Sequence, residues 1–296
     1  MSWLRQKRDE TEDAALALPN APLMRSLSRA DAPSVGAEIV YAIGDIHGRL
    51  DLFNQLVRLI VEDFQFSAAP PPARPTLITL GDYVDRGADS KGVIDKLIEI
   101  DESRAFDFHP LMGNHEEAFI TFINDPRFGP IWLRYGGAAT LRSYGVTPPE
   151  EDTPMAWREA HLALREALPP AHIAFLNSLP SKAVIKDYVF VHAGVRPGIP
   201  LMLQRGADMR WIREPFLSHQ GSFGRTIVHG HTPVDQPYLS DSRINCDTRA
   251  YASGVLTALR LNYTQRTLIQ VKGEQFELSE DEEPASPSAV GQQRPR

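Results

Sequence analysis

Five short, mostly apolar runs punctuate the chain, at residues 38–43, 76–80, 106–112, 188–191 and 226–228. Each ends at a turn that carries glycine beside Asp, Asn or His. Continuous apolar runs of this length, bounded by Gly and Asp, predict buried strands. Residues 254–261 and 267–271 predict two further strands, expected to complete a second sheet. Between 121 and 182 the pattern changes. Ala156, Trp157, Ala160, Leu164 and Ala167 approximate helical spacing within 154–168, so this stretch is expected as a helical insertion beside the sheet. Residues 1–35 are polar with scattered leucines (Leu16, Leu18, Leu23, Leu27) and no sustained period, and are expected as a flexible arm. Residues 276–296 hold the run Glu280-Asp281-Glu282-Glu283 followed by Pro, Ser and Gln. Such a composition buries too little surface to order itself, so a disordered acidic tail is expected. The folded unit is placed at 36–275. Pro70, Pro71, Pro72 and Pro75 predict a stiff connection before the second strand.

Composition narrows the class. The chain has 296 residues and a formal net charge of −7, long enough for one large α/β domain with a sizeable core. The charge and the lack of a basic stripe argue against nucleic acid as the main substrate. Cys246 is the sole cysteine, which excludes intramolecular disulfides and fits a reducing compartment. In its strand-like setting it is expected to be a small core residue. No apolar run reaches membrane-spanning length, and the N-terminal residues lead into acidic ones rather than a signal-like apolar stretch. A cytoplasmic enzyme without membrane partners is expected.

The turns after the five strands carry the chemistry. They are Gly44-Asp45-Ile46-His47-Gly48, Gly81-Asp82-Tyr83-Val84-Asp85-Arg86-Gly87, Gly113-Asn114-His115-Glu116, His192-Ala193-Gly194 and His229-Gly230-His231-Thr232. Open α/β sheets place ligand sites at the carboxyl ends of their strands, where these turns fall. Oxygen and imidazole donors without thiolates suit Mn, Fe, Zn or Mg. A carboxylate between two cations offsets their repulsion, and a water between them loses its proton far more readily than bulk water. Arginine's planar fork suits paired phosphate oxygens. A poor alkoxide leaving group needs a proton donor. The inventory is that of a two-metal phosphate-ester hydrolase. Singly, each residue has a plainer reading: Asp45 and Asp82 as turn or cap residues, Asn114 as a left-handed turn residue, the histidines as satisfied core or surface groups. The joint pattern reverses those readings.

Three signatures, GDxHG, GDxVDRG and GNHE, followed by HAG and GHT, resemble the phosphoprotein phosphatase family of metallophosphoesterases across roughly residues 36–275. The stretch 135–145 is similar to one in the bacterial serine/threonine phosphatase branch. The resemblance implies a four-layer, calcineurin-like sandwich of two mixed β-sheets flanked by helices. It implies two divalent ions, with Mn²⁺ favoured. Asp45 and His47 match ligands of the first metal, and Asp82 the bridging carboxylate. Asn114, His192 and His231 match ligands of the second. His115 matches the general acid, Asp85 the carboxylate that orients it, and Arg86 a phosphate-gripping arginine. A second phosphate arginine is expected in residues 209–214, where Arg213 is preferred and Arg210 is the fallback. Arg86, Arg213 and Asn114 form the expected substrate-binding set. His229 is expected to stand behind His231, and Glu116 to start a helix while steadying its loop.

The implied reaction is hydrolysis of phosphoserine and phosphothreonine in proteins, with phosphotyrosine as a further substrate, by in-line attack of a metal-bridging hydroxide. The alternative is cleavage of dinucleoside polyphosphates or small phosphoesters. Close relatives with dinucleotide activity tend to carry Gln where this chain has His47. Pro233 stands where broader phosphodiesterases often have a second histidine. Both favour the phosphatase reading over a diesterase, and intact motifs argue against a non-catalytic scaffold.

Overall fold

The computed structural model of the protein describes residues 23–27, 33–67 and 74–275. The expected acidic tail, most of the expected arm and Pro70–Pro72 lie outside the described residues. Two mixed sheets form the centre. In the first, the strands β1 (Leu23–Leu27), β2 (Ile39–Ile43), β3 (Thr76–Thr79), β4 (Asp107–Pro110), β10 (Val255–Asn262) and β11 (Gln265–Lys272) run in the order β1-β11-β10-β2-β3-β4. The second contains β5 (Lys182–Ile185), β6 (Tyr188–Val191), β7 (Thr226–His229), β8 (Tyr238–Leu239) and β9 (Arg243–Asn245), in the order β5-β6-β7-β9-β8. The pairs β2–β3, β3–β4, β6–β7 and β7–β9 are parallel. Hence the turns after β2, β3, β4, β6 and β7 all emerge at the carboxyl ends of parallel strands.

Side-chain alternation builds the layers, since successive strand residues face opposite sides. Val40, Ala42 and Ile78 of the first sheet share one buried cluster with Tyr188, Phe190, Val228 and Ile244 of the second. That cluster is the interior between the sheets. Ile39, Tyr41, Ile43 and Leu77 point the other way, into a cluster with Leu52, Phe53, Leu56 and Ile60 of helix α1 (Leu50–Gln65) and Val93, Ile94 and Leu97 of α2 (Ser90–Ser103). On the far side, Val189, Val191 and Ile227 pack with Met209, Ile212 and Phe216. The order is helix, sheet, sheet, helix: the four-layer sandwich.

The hairpin β10–β11 does not belong to the second sheet, which it was expected to complete. β10 pairs antiparallel with β2, Ala258 opposite Ile43, and so joins the first sheet. The second sheet ends instead at the short strand β8. The reason lies in burial on both faces. Leu256 and Ala258 enter the helix-facing cluster while Leu259 and Leu261 enter the inter-sheet one, which an edge on the second sheet would not provide. Within the expected arm, residues 23–27 pair antiparallel with β11. No helix among the described residues is long and apolar enough to cross a membrane.

Between α3 (Asn114–Asn124) and β5 lie α4 (Gly129–Leu133), α5 (Gly137–Ser143), α6 (Pro154–Ala167) and α7 (Pro170–Ser178). Thr153 caps α6 by accepting from the Ala156 N–H, and Pro154 suits its first turn. Aromatic rings hold these helices on α3. Trp132 is fully buried and stacks on Phe122 with centroids 4.7 Å apart, and Phe122 meets Trp157 edge-on at 5.9 Å. Phe122→Ala should therefore lower unfolding free energy by about 3–5 kcal/mol, measured by urea denaturation. A loss below about 1 kcal/mol would mean that these helices do not depend on the aromatic stack.

Candidate active site

Five candidate residues sit on turns held in the left-handed region: His47 (φ 43°), Asp82 (54°), Asp85 (71°), Arg86 (69°) and His231 (65°). None is glycine, so each costs conformational energy that its surroundings must offset. Glu116 supplies much of that support. Its buried carboxylate accepts N–H groups from Asp82 (2.8 Å), Tyr83 (2.7 Å), Val84 (3.3 Å) and Gly113 (2.9 Å). Burial and the nearby Asp82 charge push its pKa up to about 7 against those donors. Close backbone approaches complete the wedge. A Cβ on Gly113 would lie 2.2 Å from Asp82 Oδ1, and one on Gly230 would lie 1.9 Å from Asp45 Oδ1. These glycines are required by proximity, not by φ.

The structure brings Asp45, His47, Asp82, Asn114, His115, His192 and His231 into one nearly dry cluster, each no more than 6% exposed. Among the described residues, two groups could hold a metal ion: His47, Asp82 and His115, and Asp82, His192 and His231. Asp82 belongs to both. The imidazole tautomers test the fit. His47 Nδ1 lies 2.8 Å from the Val84 carbonyl, and His192 Nδ1 lies 2.8 Å from the Leu80 carbonyl. A carbonyl only accepts, so both Nδ1 atoms carry hydrogen, and in the neutral rings Nε2 presents a lone pair. The His47 Nε2 faces Asp82 Oδ2 at 3.5 Å; the His192 Nε2 faces Asn114 Oδ1 at 2.8 Å and Asp82 Oδ1 at 3.3 Å. Lone pairs converging on lone pairs repel unless a proton or cation lies among them. A backbone carbonyl behind a ligand imidazole is also how metal histidines are oriented.

The acids make the same case. Burial pushes the Asp45 carboxyl well above its usual range, helped by the charges of Asp247 and Asp82. Asp247 is raised by burial as well. Burial alone would raise Asp82, yet His192, His115 and His47 hold it well below the usual range. Three buried carboxylates in mutual repulsion fit a site built for positive ions. Asp45 falls outside both metal-capable groups; its carboxylate accepts the His231 N–H at 3.0 Å.

His115 stands apart from the other imidazoles. Its Nδ1 lies 2.7 Å from Asp85 Oδ2. Asp85 is itself fixed by Trp132 Nε1 at 3.1 Å and Thr140 Oγ1 at 2.7 Å, and its N–H donates to the hydroxyls of Thr140 and Ser90. His115 Nε2 is left facing the Arg86 guanidinium at 3.3 Å and Asp82 at 3.8 Å. Arg86 also lies 3.4 Å from His47 Nε2 and over the Tyr251 ring, 4.6 Å from its centroid. The arginine alternatives separate cleanly. Arg210 is tied to Glu117 at 2.6 Å and to Ser181, whereas Arg213 is exposed and touches only the His231 carbonyl, at 3.4 Å, among the bonds described. His229 ends β7 behind this cluster. Its ring packs on Phe216 at 4.9 Å, its Nδ1 meets the Gly230 carbonyl, and neither metal-capable group includes it.

Sequence reasoning missed Asp247, Tyr251, Thr140 and the role of Trp132. Asp247 follows β9 as the other acids follow their strands, and that strand-then-acid pattern was its one legible signal. Thr140 lay within the singled-out stretch 135–145 without a role of its own, and Tyr251 and Trp132 offered no local signal, because they reach the site only through tertiary packing.

The pattern of the calcineurin-like phosphoesterase family matches residues 39–258. The chain belongs to that family. Among its relatives is a bis(5'-nucleosyl)-tetraphosphatase PrpE (asymmetrical) from Anoxybacillus flavithermus, 26% identical over 235 residues, covering 74% of this chain and 88% of the relative. Another from Geobacillus sp. (strain WCH70) is 27% identical over 230 residues, with the same coverage. A crystal structure provisionally described as a diadenosine tetraphosphatase shares the fold, with a TM-score of 0.55 at 20% identity over 82% of this chain and 99% of its own. The phosphoesterase is thus a metal-dependent hydrolase in family and fold.

Asp82→Asn keeps shape but removes the shared negative charge. Bound metal and turnover should fall together, with metal per chain measured by elemental analysis. Retention of two metals and a near-normal rate would refute the shared-carboxylate assignment. His231→Ala should lose one metal per chain, while His229→Ala keeps both and loses less activity. Equal metal loss in the two variants would move the ligand to His229.

Proposed function

We propose that the phosphoesterase is a dinuclear-metal phosphomonoesterase acting on phosphoserine and phosphothreonine. The observation that carries this reading is the His115–Asp85 pair beside Arg86. A serine or threonine alkoxide leaves poorly, and a buried imidazole held by a carboxylate is the group that protonates it. Asp45, His47 and Asp82 would hold one cation; Asp82, Asn114, His192 and His231 the other. When bound, two such cations supply Lewis acidity and lower the pKa of an attached water. Mn²⁺ is the proposed ion, given oxygen and imidazole donors only.

The chain's own residues do the rest. Arg86 and the exposed Arg213 grip phosphoryl oxygens, with Asn114 at the same edge. His115 delivers the proton from Nε2 to the leaving oxygen. Asp85 accepts from Nδ1–H and stabilises the imidazolium, so the proton sits on the reactive nitrogen. Trp132 and Thr140 keep Asp85 from turning away. Nearly complete burial of His115, Asp85, Trp132 and Thr140 removes competing water from the proton donor and strengthens its charge interactions.

A second reading is asymmetrical cleavage of dinucleoside tetraphosphates, favoured by the named activity of the PrpE relatives. The two readings differ in the leaving group. A nucleoside polyphosphate leaves as a stable anion and gains little from a proton donor. His115→Asn should slow an alkyl phosphate by roughly 10²–10⁴-fold, and p-nitrophenyl phosphate or diadenosine tetraphosphate much less. Asp85→Asn should show the same bias in milder form, with metal content unchanged in both. Equal slowing of all three substrates with metals intact would make His115 a binding or structural residue.

A further inference from the structure

Tyr251 is 3% exposed, yet it joins none of the apolar clusters among the described residues. Its neighbour Ala250 enters the helix-facing cluster, whereas the Tyr251 ring meets the site. It makes a T-shaped contact with His47, centroids 5.1 Å apart at 84°. The Arg86 guanidinium carbon lies over the same ring, 4.6 Å from its centroid. The backbone beneath Tyr251 is well fastened. The residue sits on the short helix α9 (Ala250–Ser253). The buried Arg49 donates to the Ala250 carbonyl at 2.8 Å, and the Arg249 N–H donates to Asp247 at 2.9 Å. Ser253 Oγ closes the turn on the Thr248 carbonyl at 2.6 Å.

Arg86 needs such a support. It shares the cluster with three buried carboxylates, Asp45, Asp82 and Asp247. Burial raises Asp45 and Asp247, and the positive charge of Arg86 works against that rise at both. A guanidinium among carboxylates commonly closes a two-pronged ion pair. Arg86 does not. Among the described residues it pairs with no carboxylate, and the polar contacts of its head are to His115 Nε2 at 3.3 Å and His47 Nε2 at 3.4 Å. A guanidinium carries five N–H donors, and most of those on Arg86 have no partner among the described residues. Its stem is held at Gly136, where an added Cβ would lie 2.7 Å from Arg86 Cγ.

We propose that Tyr251 is a positioning residue for Arg86. Its ring face holds the guanidinium beside the buried acids without hydrogen-bonding it, so the N–H fork stays available to phosphoryl oxygens. This rests on Arg86 gripping the phosphoryl group, as in the proposed function. A ring face attracts a cation through its quadrupole and leaves the N–H donors unspent. A carboxylate in the same place would take the fork and compete with phosphate. An aliphatic side chain would fill the space without holding the charge. The attraction grows as water is excluded, and beneath a half-buried guanidinium it corresponds to about tenfold in affinity.

The test reads binding of inorganic phosphate to the full-length, Mn²⁺-loaded protein by calorimetry. Tyr251→Leu should weaken phosphate by about tenfold, with metal content unchanged by elemental analysis. Tyr251→Phe, which keeps the ring face, should restore most of that affinity. Pentafluorophenylalanine at position 251 keeps the ring's size and reverses its quadrupole, and should weaken phosphate as Tyr251→Leu does. In an Arg86→Gln background, Tyr251→Leu should change phosphate affinity by less than about twofold, because its effect passes through the arginine. An equal loss in both backgrounds would overturn the proposal. So would a fluorinated ring that leaves phosphate binding as in the parent. Metal loss in Tyr251→Leu and Tyr251→Phe alike would make Tyr251 a structural support of His47 instead. Phosphate is common to every phosphate-ester reaction, so the two readings separate. The expected loss in Tyr251→Leu, from a parent that hydrolyses no phosphoserine or phosphothreonine peptide, keeps the positioning role and refutes the proposed phosphatase activity. Peptide turnover with a phosphate affinity indifferent to Tyr251 does the reverse.

Discussion

Mutual repulsion among Asp45, Asp82 and Asp247 is the constraint around which the rest of the site is organised. Each is at most 2% exposed, and burial alone would drive each to its neutral form. Positive charge lets such a group stay ionised, as it does for Asp82. Protonated imidazole is one source, and His192, pulled down by burial but raised overall by Asp82 and Glu116, shows the pull toward it. Cations are the other source, and the orientation of His47 and His192 favours them. Their N–H hydrogens are spent on backbone carbonyls, so their free nitrogens look inward at the same acids. A structural ion-pair network would turn hydrogens toward the carboxylates. At His47, which burial holds in its neutral form, this one turns a lone pair.

That choice explains the backbone. To aim their side chains into the cluster, the turns after β2, β3 and β7 curl tightly, and His47, Asp82, Asp85, Arg86 and His231 accept left-handed geometry there. The cost falls on a scaffold with two buried interfaces to absorb it. Glu116 illustrates the exchange. It brings a further negative charge near Asp82, an unfavourable placement, but three N–H groups of the strained turn, and that of Gly113 before α3, find their acceptor in it. The expected role of Glu116 as a loop-steadying helix-start residue understated how much it holds.

Much of the site was legible because it follows local rules. A buried parallel strand reads as an apolar run, and a turn that must approach a ligand reads as glycine beside a donor. What was not legible depends on pairing across the chain. The hairpin β10–β11 was expected to complete the second sheet, yet its two apolar faces are buried in the first. The pairing of residues 23–27 with β11 had no period to reveal it. Asp85 was marked by its signature, but Trp132 and Thr140, which hold it, lie 47 and 55 residues away. Tyr251 lies under Arg86 from the helix α9 (Ala250–Ser253), with nothing in its neighbours to announce that position.

The separation between charge-handling and leaving-group residues gives the site its logic. Metal-capable donors come from strand ends common to the whole sandwich, and they act on the phosphoryl group, which every phosphate ester shares. Trp132, Tyr135 and Thr140 come from the helical segments between α3 and β5, outside the sheets. Those segments are nonetheless fastened to the acids, through Trp132 and Thr140 on Asp85 as well as Gly136 on Arg86. Resemblance to tetraphosphatases over most of the chain speaks chiefly for the phosphoryl half of the site. The leaving-group half is decided by a few side chains that such a resemblance, at about one identical residue in four, does not constrain. The helices between α3 and β5 meet His115 at Tyr135, away from the strand ends that carry the metal-capable donors.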